Sequence, residues 1–236
     1  MHHNSFPCDI VSKNHLLEKY CTPVQKLFLN KSAICTRQKK DDIIFHEHFP
    51  ATQIYFVLSG VVGLWKENIY LKKQYIRFIK EGELFGFRGS SMENISSYRL
   101  SASAFEDAQI CQIPKEDFAH VLKENPALHL NILLTYVKEL EKIEQSFCHQ
   151  ASMNTREKVA EALLTIHKAF GCNGNGAPFC KKVLRGDIAD IAGISTGKTI
   201  NLLSEFRAEN IIATCGSTIT MLQPDKLKEI VAEYHQ

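Results

Sequence analysis

The chain has 236 residues, 44% apolar and 23% charged, with 28 Lys and Arg against 26 Asp and Glu and a formal net charge of +2. That composition excludes a disordered or fibrous chain, and the near balance of charge means that a nucleic-acid partner has to be held by a local basic face. No apolar run reaches the roughly 18 residues that span a bilayer, and the opening "MHHNSFPCDI" lacks an apolar core of signal-peptide length, so a cytoplasmic protein with no membrane partner is expected.

In chain order, "NHLLEKYCTPVQKLFLN" has helical spacing interrupted at Pro23. Residues 33 to 113 then read as short strands: "AICTRQKK", "DDIIFHEH", "QIYFVLSG", "VVGLWKEN", "QYIRFIKEG", "YRLSASAF" and "AQICQI". Their β-branched and aromatic content and regular spacing predict an antiparallel barrel or sandwich. "LSGVVGL" reads as a tight hairpin turning at Ser59-Gly60. His46 and His48 alternate on a strand and would share one face.

After Pro114 the period changes. Leu133, Tyr136, Leu140, Ile143 and Phe147 repeat at 3, 4, 3 and 4 on a helix from about Pro126 to Ser152, which is a heptad seam for a partner helix. Leu130, Leu134 and Val137 make a second stripe, so one stripe can pack on the strand domain while the other meets the partner. Asn154 or Thr155 caps a further helix, "TREKVAEALLTIHKAFG", with Glu157 in its first turn, and "CNGNGAP" is a loop.

Gly197-Lys198-Thr199 spells the end of a phosphate-binding P-loop, but "RGDIADIA" before it has helical spacing rather than the strand such a loop needs. Arg185 to Ser204 instead fits a helix-turn-helix. Ile188, Ala192, Ile194 and Leu202 take the apolar positions, Ala189 is small at the helix crossing, Gly193 makes the turn and Ser195 caps the second helix. Thr199 stands at a position that is usually apolar. "IIATCGSTITML" follows as two strands about Gly216-Ser217, a wing, and Pro224 starts a closing helix.

A strand barrel, a long helix and a winged helix-turn-helix in this order resemble the CRP/FNR family of bacterial transcription regulators. The stretches that carry the resemblance are "DDIIFHEHFPATQIYFVLSGVVGLW", "EGELFG" with "RLSASAFEDAQICQIP", and "RGDIADIAGISTGKTINLLSEFRAENII". The resemblance implies an α+β chain: an N-terminal antiparallel β-roll (a double-stranded β-helix, cyclic-nucleotide-binding-like) over residues 1–120, a dimerisation helix over 121–153 and a winged helix-turn-helix over 154–236. It further implies a homodimer on a palindromic double-stranded DNA operator, with recognition helices roughly 34 Å apart, RNA polymerase as a further partner, and no catalysis.

The candidate effector pocket comprises Phe85, Gly86, Phe87, Arg88, Ser96 and Arg99. Cyclic-AMP-binding relatives place a glutamate after the pocket glycine, where this chain has Phe87, and an Arg-Ser pair near Ile95-Ser96, where the arginine is missing. A buried phosphate without its arginine lacks its charge partner, so cyclic AMP is not the expected effector. The candidate DNA-contacting residues are Arg185, Ser195, Thr196, Gly197, Lys198, Ile200, Asn201 and Ser204. Lys198, Arg185, Ser195 and Thr196 suit phosphate, Asn201 suits adenine and Ile200 a thymine methyl, while Gly197 stands where relatives keep a base-reading acid.

The eight cysteines lack the close N-terminal spacing of an iron–sulfur site, and reduced, buried thiols are expected of them. Haem needs only one axial His or Cys, and stays open; the cofactor is unknown. Two alternative readings use other residues: thiol-redox sensing through Cys8, Cys35 or Cys111, and a cupin-like metal enzyme using His46 and His48.

Overall fold

The computed structural model describes residues 9–68, 73–87, 97–170 and 180–232. They form two compact units: one from the described residues of 1–66 and 76–141, the other from those of 67–75 and 142–236.

The first unit begins with two helices, α1 (His15–Tyr20) and α2 (Pro23–Ser32). Asn14 caps α1 by accepting from the Leu17 amide at 2.8 Å. Thr22 and Gln25 form a reciprocal capping box on α2, with Pro23 at its first position, so the sequence break at Pro23 is a helix start. Eight strands follow: β1 (Ile34–Gln38), β2 (Ile43–Phe45), β3 (Gln53–Ser59), β4 (Val62–Glu67), β5 (Lys73–Ile79), β6 (Leu84–Phe85), β7 (Ser101–Ala104) and β8 (Ala108–Pro114). They make two four-stranded sheets, ordered β1-β8-β3-β6 and β2-β7-β4-β5.

This order overturns the expected hairpin. β3 and β4 lie in different sheets, so the turn after Ser59 carries the chain from one sheet to the other. Gly60 has φ +85°, and a Cβ there would stand 2.6 Å from the Asp107 carbonyl oxygen, which only glycine avoids. The histidine expectation is also corrected. β2 ends at Phe45, and His48 sits in a turn with φ +70°, so the two rings do not alternate on a strand. Among the described residues no group of three His, Cys, Asp or Glu could hold a metal ion.

Strand β3 is buried from Ile54 to Leu58 because both of its faces are covered. Side chains alternate across a strand. Ile54, Phe56 and Leu58 join the layer of Phe118, Val121, Leu128 and Ile132 from two further helices, α3 (Lys115–Glu124) and α4 (Pro126–Ser152). Tyr55 and Val57 face the roll interior with Phe45, Phe85, Tyr98 and Ile110.

Cys35 on β1 lies directly opposite Cys111 on β8, both are fully buried, and their sulfurs are bonded to each other. This corrects the expectation of free thiols for that pair. The two residues are 76 positions apart, and only the β1–β8 register brings them together. Cys8 and Cys172 lie outside the described residues.

The second unit begins α5 (Thr155–Phe170) at Asn154, whose Oδ1 accepts from the amides of Arg156 and Glu157 at 2.9 and 3.1 Å. Strand β9 (Cys180–Lys182), helices α6 (Arg185–Ala192) and α7 (Thr196–Ala208), strands β10 (Ile212–Cys215) and β11 (Thr218–Met221), and α8 (Pro224–Ile230) complete it. The sheet order is β10-β11-β9, so the expected two-stranded wing has a third strand. Val159, Leu163, Ile188, Leu203, Phe206, Ile212, Met221 and Leu227 supply its buried side chains.

Candidate nucleic-acid interface

The α6–α7 corner is set by Gly193. Its φ of +66° ends α6 in the left-handed conformation, and Ile194 donates back to the Ala189 carbonyl at 3.1 Å. Ser195 is extended and its hydroxyl accepts from the Lys198 amide, capping α7. Gly197-Lys198-Thr199 therefore forms the first turn of a helix that follows another helix.

The faces of α7 are sharply divided. Thr199, Leu203 and Phe206, at helical spacing, point inward and are essentially inaccessible. Leu203, not Leu202, takes the buried position; Leu202 is half-buried. Thr199 fits its apolar environment because its hydroxyl donates to the Ser195 carbonyl at 3.1 Å. On the outer side Ser195, Thr196, Gly197, Lys198, Ile200, Asn201 and Ser204 are all exposed, and a Cβ added at Gly197 would meet nothing within 4 Å. The Ser204 hydroxyl donates to the Ile200 carbonyl at 3.0 Å. Arg185 starts α6 half-buried, and its enclosed Nη1 has no hydrogen-bond partner among the described residues. Two antiparallel strands joined at Gly216-Ser217 form the wing. The corner thus offers a capped helix N-terminus, a lysine, an amide side chain and an exposed isoleucine (47% accessible) on one face, an arrangement suited to phosphates and base edges.

Of the candidate effector residues, Phe85 is core: its ring stacks on Tyr55 at 5.1 Å and lies 6.1 Å from Phe45 within the filled roll. Gly86, with φ +94°, sits against the Tyr55 ring and the Gln53 carbonyl. Phe87 is half-buried and packs edge-on against Phe118 and Tyr136, at 5.4 and 5.2 Å. Arg99 is exposed before β7. Arg88 and Ser96 lie outside the described residues. Beside Phe87 is a cleft of about 220 Å³, whose lining includes Arg77, Leu84, Ile132, Tyr136 and Glu139. Arg77 is ion-paired with Glu139 and lies 3.7 Å from Glu83, so its charge is already neutralised. Burial and a hydrogen bond to Tyr98 raise the Tyr55 phenol far above its ordinary value, keeping it neutral.

On α4, Leu128 and Ile132 pack on the roll, which is neither of the two predicted stripes. Most of the two stripes stays exposed: Leu130, Leu133, Leu134, Val137, Leu140 and Phe147 are each 46% to 75% accessible. Tyr136 and Ile143 are half-buried. The exposed heptad therefore runs Leu130, Leu133, Val137, Leu140 and Phe147, sharing three residues with the predicted seam and turned slightly away from Tyr136 and Ile143. The cause is Tyr136, which is drawn against Phe87.

A roll with a long helix bearing an exposed apolar face, and a winged helix-turn-helix with an exposed polar first turn, define a DNA-binding transcription regulator. The comparisons agree. The cyclic nucleotide-binding domain family matches residues 36–125, and the Crp-like helix-turn-helix domain family residues 157–230. The "Anaerobic regulatory protein" of Haemophilus influenzae is 24% identical over 193 residues, covering 81% of this chain and 74% of its own length. The nitrogen fixation regulation protein FixK of Bradyrhizobium diazoefficiens is 25% identical over 192 residues, covering 81% and 79%. The solved structure of FixK2 from Bradyrhizobium japonicum superposes with a TM-score of 0.71 at 21% identity, over 84% of this chain and 96% of that one. The chain belongs to the CRP/FNR family of transcription regulators. Members of this family bind DNA and act as dimers, and they are regulators rather than enzymes. Among the described residues no helix is long and apolar enough to cross a membrane.

Proposed function

We propose that the chain is a cytoplasmic homodimer that binds a palindromic operator through α7 and acts on RNA polymerase there. The observation that carries this is the division of α7: Thr199, Leu203 and Phe206 anchor it, leaving Thr196, Gly197, Lys198, Ile200, Asn201 and Ser204 free to enter the major groove. Asn201 reads adenine and Ile200 a thymine methyl, while Lys198, Ser195, Thr196 and the unenclosed part of Arg185 hold phosphates. With Gly197 bare, the operator is read with little G·C discrimination. The two copies pair through Leu130, Leu133, Val137, Leu140 and Phe147 of α4, since an apolar face of this length on a lone chain calls for a partner.

Lys198→Ala tests the assignment. Affinity should fall on all DNA sequences, and the slope of log affinity against log salt should drop by about one unit. An unchanged slope would remove Lys198 from the phosphate contacts.

The roll senses a signal other than cyclic AMP. Among the described residues its interior is packed with apolar side chains, Phe45, Tyr55, Phe85 and Tyr98 among them, and Arg77 in the adjoining cleft is neutralised by Glu139. Titration with cyclic AMP should therefore give no binding heat. The facing of Cys35 and Cys111 favours a second reading, in which a disulfide oxidant takes two electrons from the two thiols, leaves them bonded and departs as two thiols. DNA affinity that differs between reduced and oxidised protein, with the difference absent in Cys35→Ser, supports it.

A further inference from the structure

Arg156, in the first turn of α5, reaches the back of α7. Its guanidinium carbon lies 4.7 Å from the centroid of the Phe206 ring. Its Nη2 donates to both carboxylate oxygens of Glu209, at 2.8 and 2.7 Å, and its Nη1 donates to Glu205 at 3.3 Å. Glu205 and Phe206 lie in the last turns of α7, and Glu209 is its C-cap. One side chain therefore holds three residues of that helix end, Glu205, Phe206 and Glu209, and Phe206 under it is fully buried.

A lone surface ion pair contributes little. This arrangement differs in geometry: the planar fork of a guanidinium can serve two carboxylates while lying on an aromatic face, which an ammonium cannot do. The Arg156 guanidinium also holds the Glu209 carboxyl below the usual carboxylate range.

We propose that Arg156 is a positioning residue for DNA recognition: by gripping Glu205, Phe206 and Glu209 it fixes the rotation of α7 on its unit, and so the aim of Ile200 and Asn201. The proposal rests on α7 being the helix that enters the groove.

The test uses the full chain, a duplex it selects from a randomised pool, and an unselected duplex of equal length. Arg156→Ala and Glu209→Gln should each weaken binding to the selected duplex about tenfold and leave the unselected one within about twofold. The double variant should lose no more than the worse single one, as expected for residues in one network. The salt slope should not change, because Arg156 touches no phosphate. Glu209→Gln is the sharper probe. It removes a negative charge, so electrostatics alone would tighten binding to DNA; tighter binding overturns the proposal. Additive losses, or a slope lowered by about one unit in Arg156→Ala, also overturn it. If Arg156→Ala does not fold, Glu209→Gln decides. Asn201→Ala reports separately on the underlying reading: no loss there overturns the groove placement of α7 and the proposal with it, whereas loss in Asn201→Ala with none in Arg156→Ala and Glu209→Gln overturns the proposal alone.

Discussion

Gly193 and Gly197 stand four residues apart in the same corner, and the same substitution should move stability in opposite directions at the two. Gly197 is helical, at the second position of α7, and its missing Cβ faces open space. Alanine there restricts the unfolded chain without strain, and a stabilisation of about 0.5 kcal/mol is expected. Gly193 holds φ +66°, a conformation that costs an L-residue about 1–2 kcal/mol. The two variants should therefore differ by about 2 kcal/mol. At roughly 4–8 °C per kcal/mol for a unit of this size, their melting transitions should lie on the order of 10 °C apart, with Gly197→Ala above the parent and Gly193→Ala below it. Thermal unfolding followed by far-ultraviolet circular dichroism measures this directly. A Gly197→Ala variant that melts below the parent, or two variants that melt together, would refute the backbone assignment of the corner. DNA affinity of Gly197→Ala is then a separate reading of how closely that face approaches the bases.

Leu140→Asp places a charge in the exposed seam of α4 and should leave a monomer by analytical ultracentrifugation; a persisting dimer refutes the seam. Thr199→Val removes a buried hydroxyl while the Ser195 carbonyl keeps the Thr199 amide as a donor at 3.0 Å, so stability should change by less than about 1 kcal/mol in urea unfolding. His167 on α5 has its pKa lowered from 6.5 by burial first, then by Lys228 and Lys168. Its neutral form is the native one, so this contribution to stability is complete well above pH 6.5 and is lost as pH falls below it through the folded-state value. Urea midpoints at pH 7.5 and 5 should show the loss, and His167→Gln should reduce it.

The local elements were legible where side-chain periodicity alone decides them. Seven strands of the roll, the two strands about Gly216-Ser217, the long helix, the Ser195 cap and the Gly193 turn follow from alternation, heptad spacing and turn chemistry in short stretches. What failed was non-local. The two-residue β6 and three-residue β9 are too short to carry a period, and each exists because a longer strand offers it an edge. "LSGVVGL" has hairpin composition, yet Gly60 passes under Asp107 and Ala108, more than forty positions away. Burial of Leu203 instead of Leu202 is a rotation of α7 by one residue, set by packing against α5. Within the candidate site, the outward residues of α7 could be named from the sequence, whereas the clamp by Arg156 could not, because Glu205 and Glu209 lie about fifty positions from it.

Strung along 27 residues, α4 spans about 40 Å at 1.5 Å per residue, and Leu130, Leu133, Leu134 and Leu140 face outward from it. A surface of this kind makes abundance itself an input. On the proposed pairing, while single chains predominate the concentration of the paired form rises as the square of the total, so halving synthesis reduces operator-competent protein to about a quarter. Dilution by growth or slowed translation would then release the operator with no ligand in the roll at all.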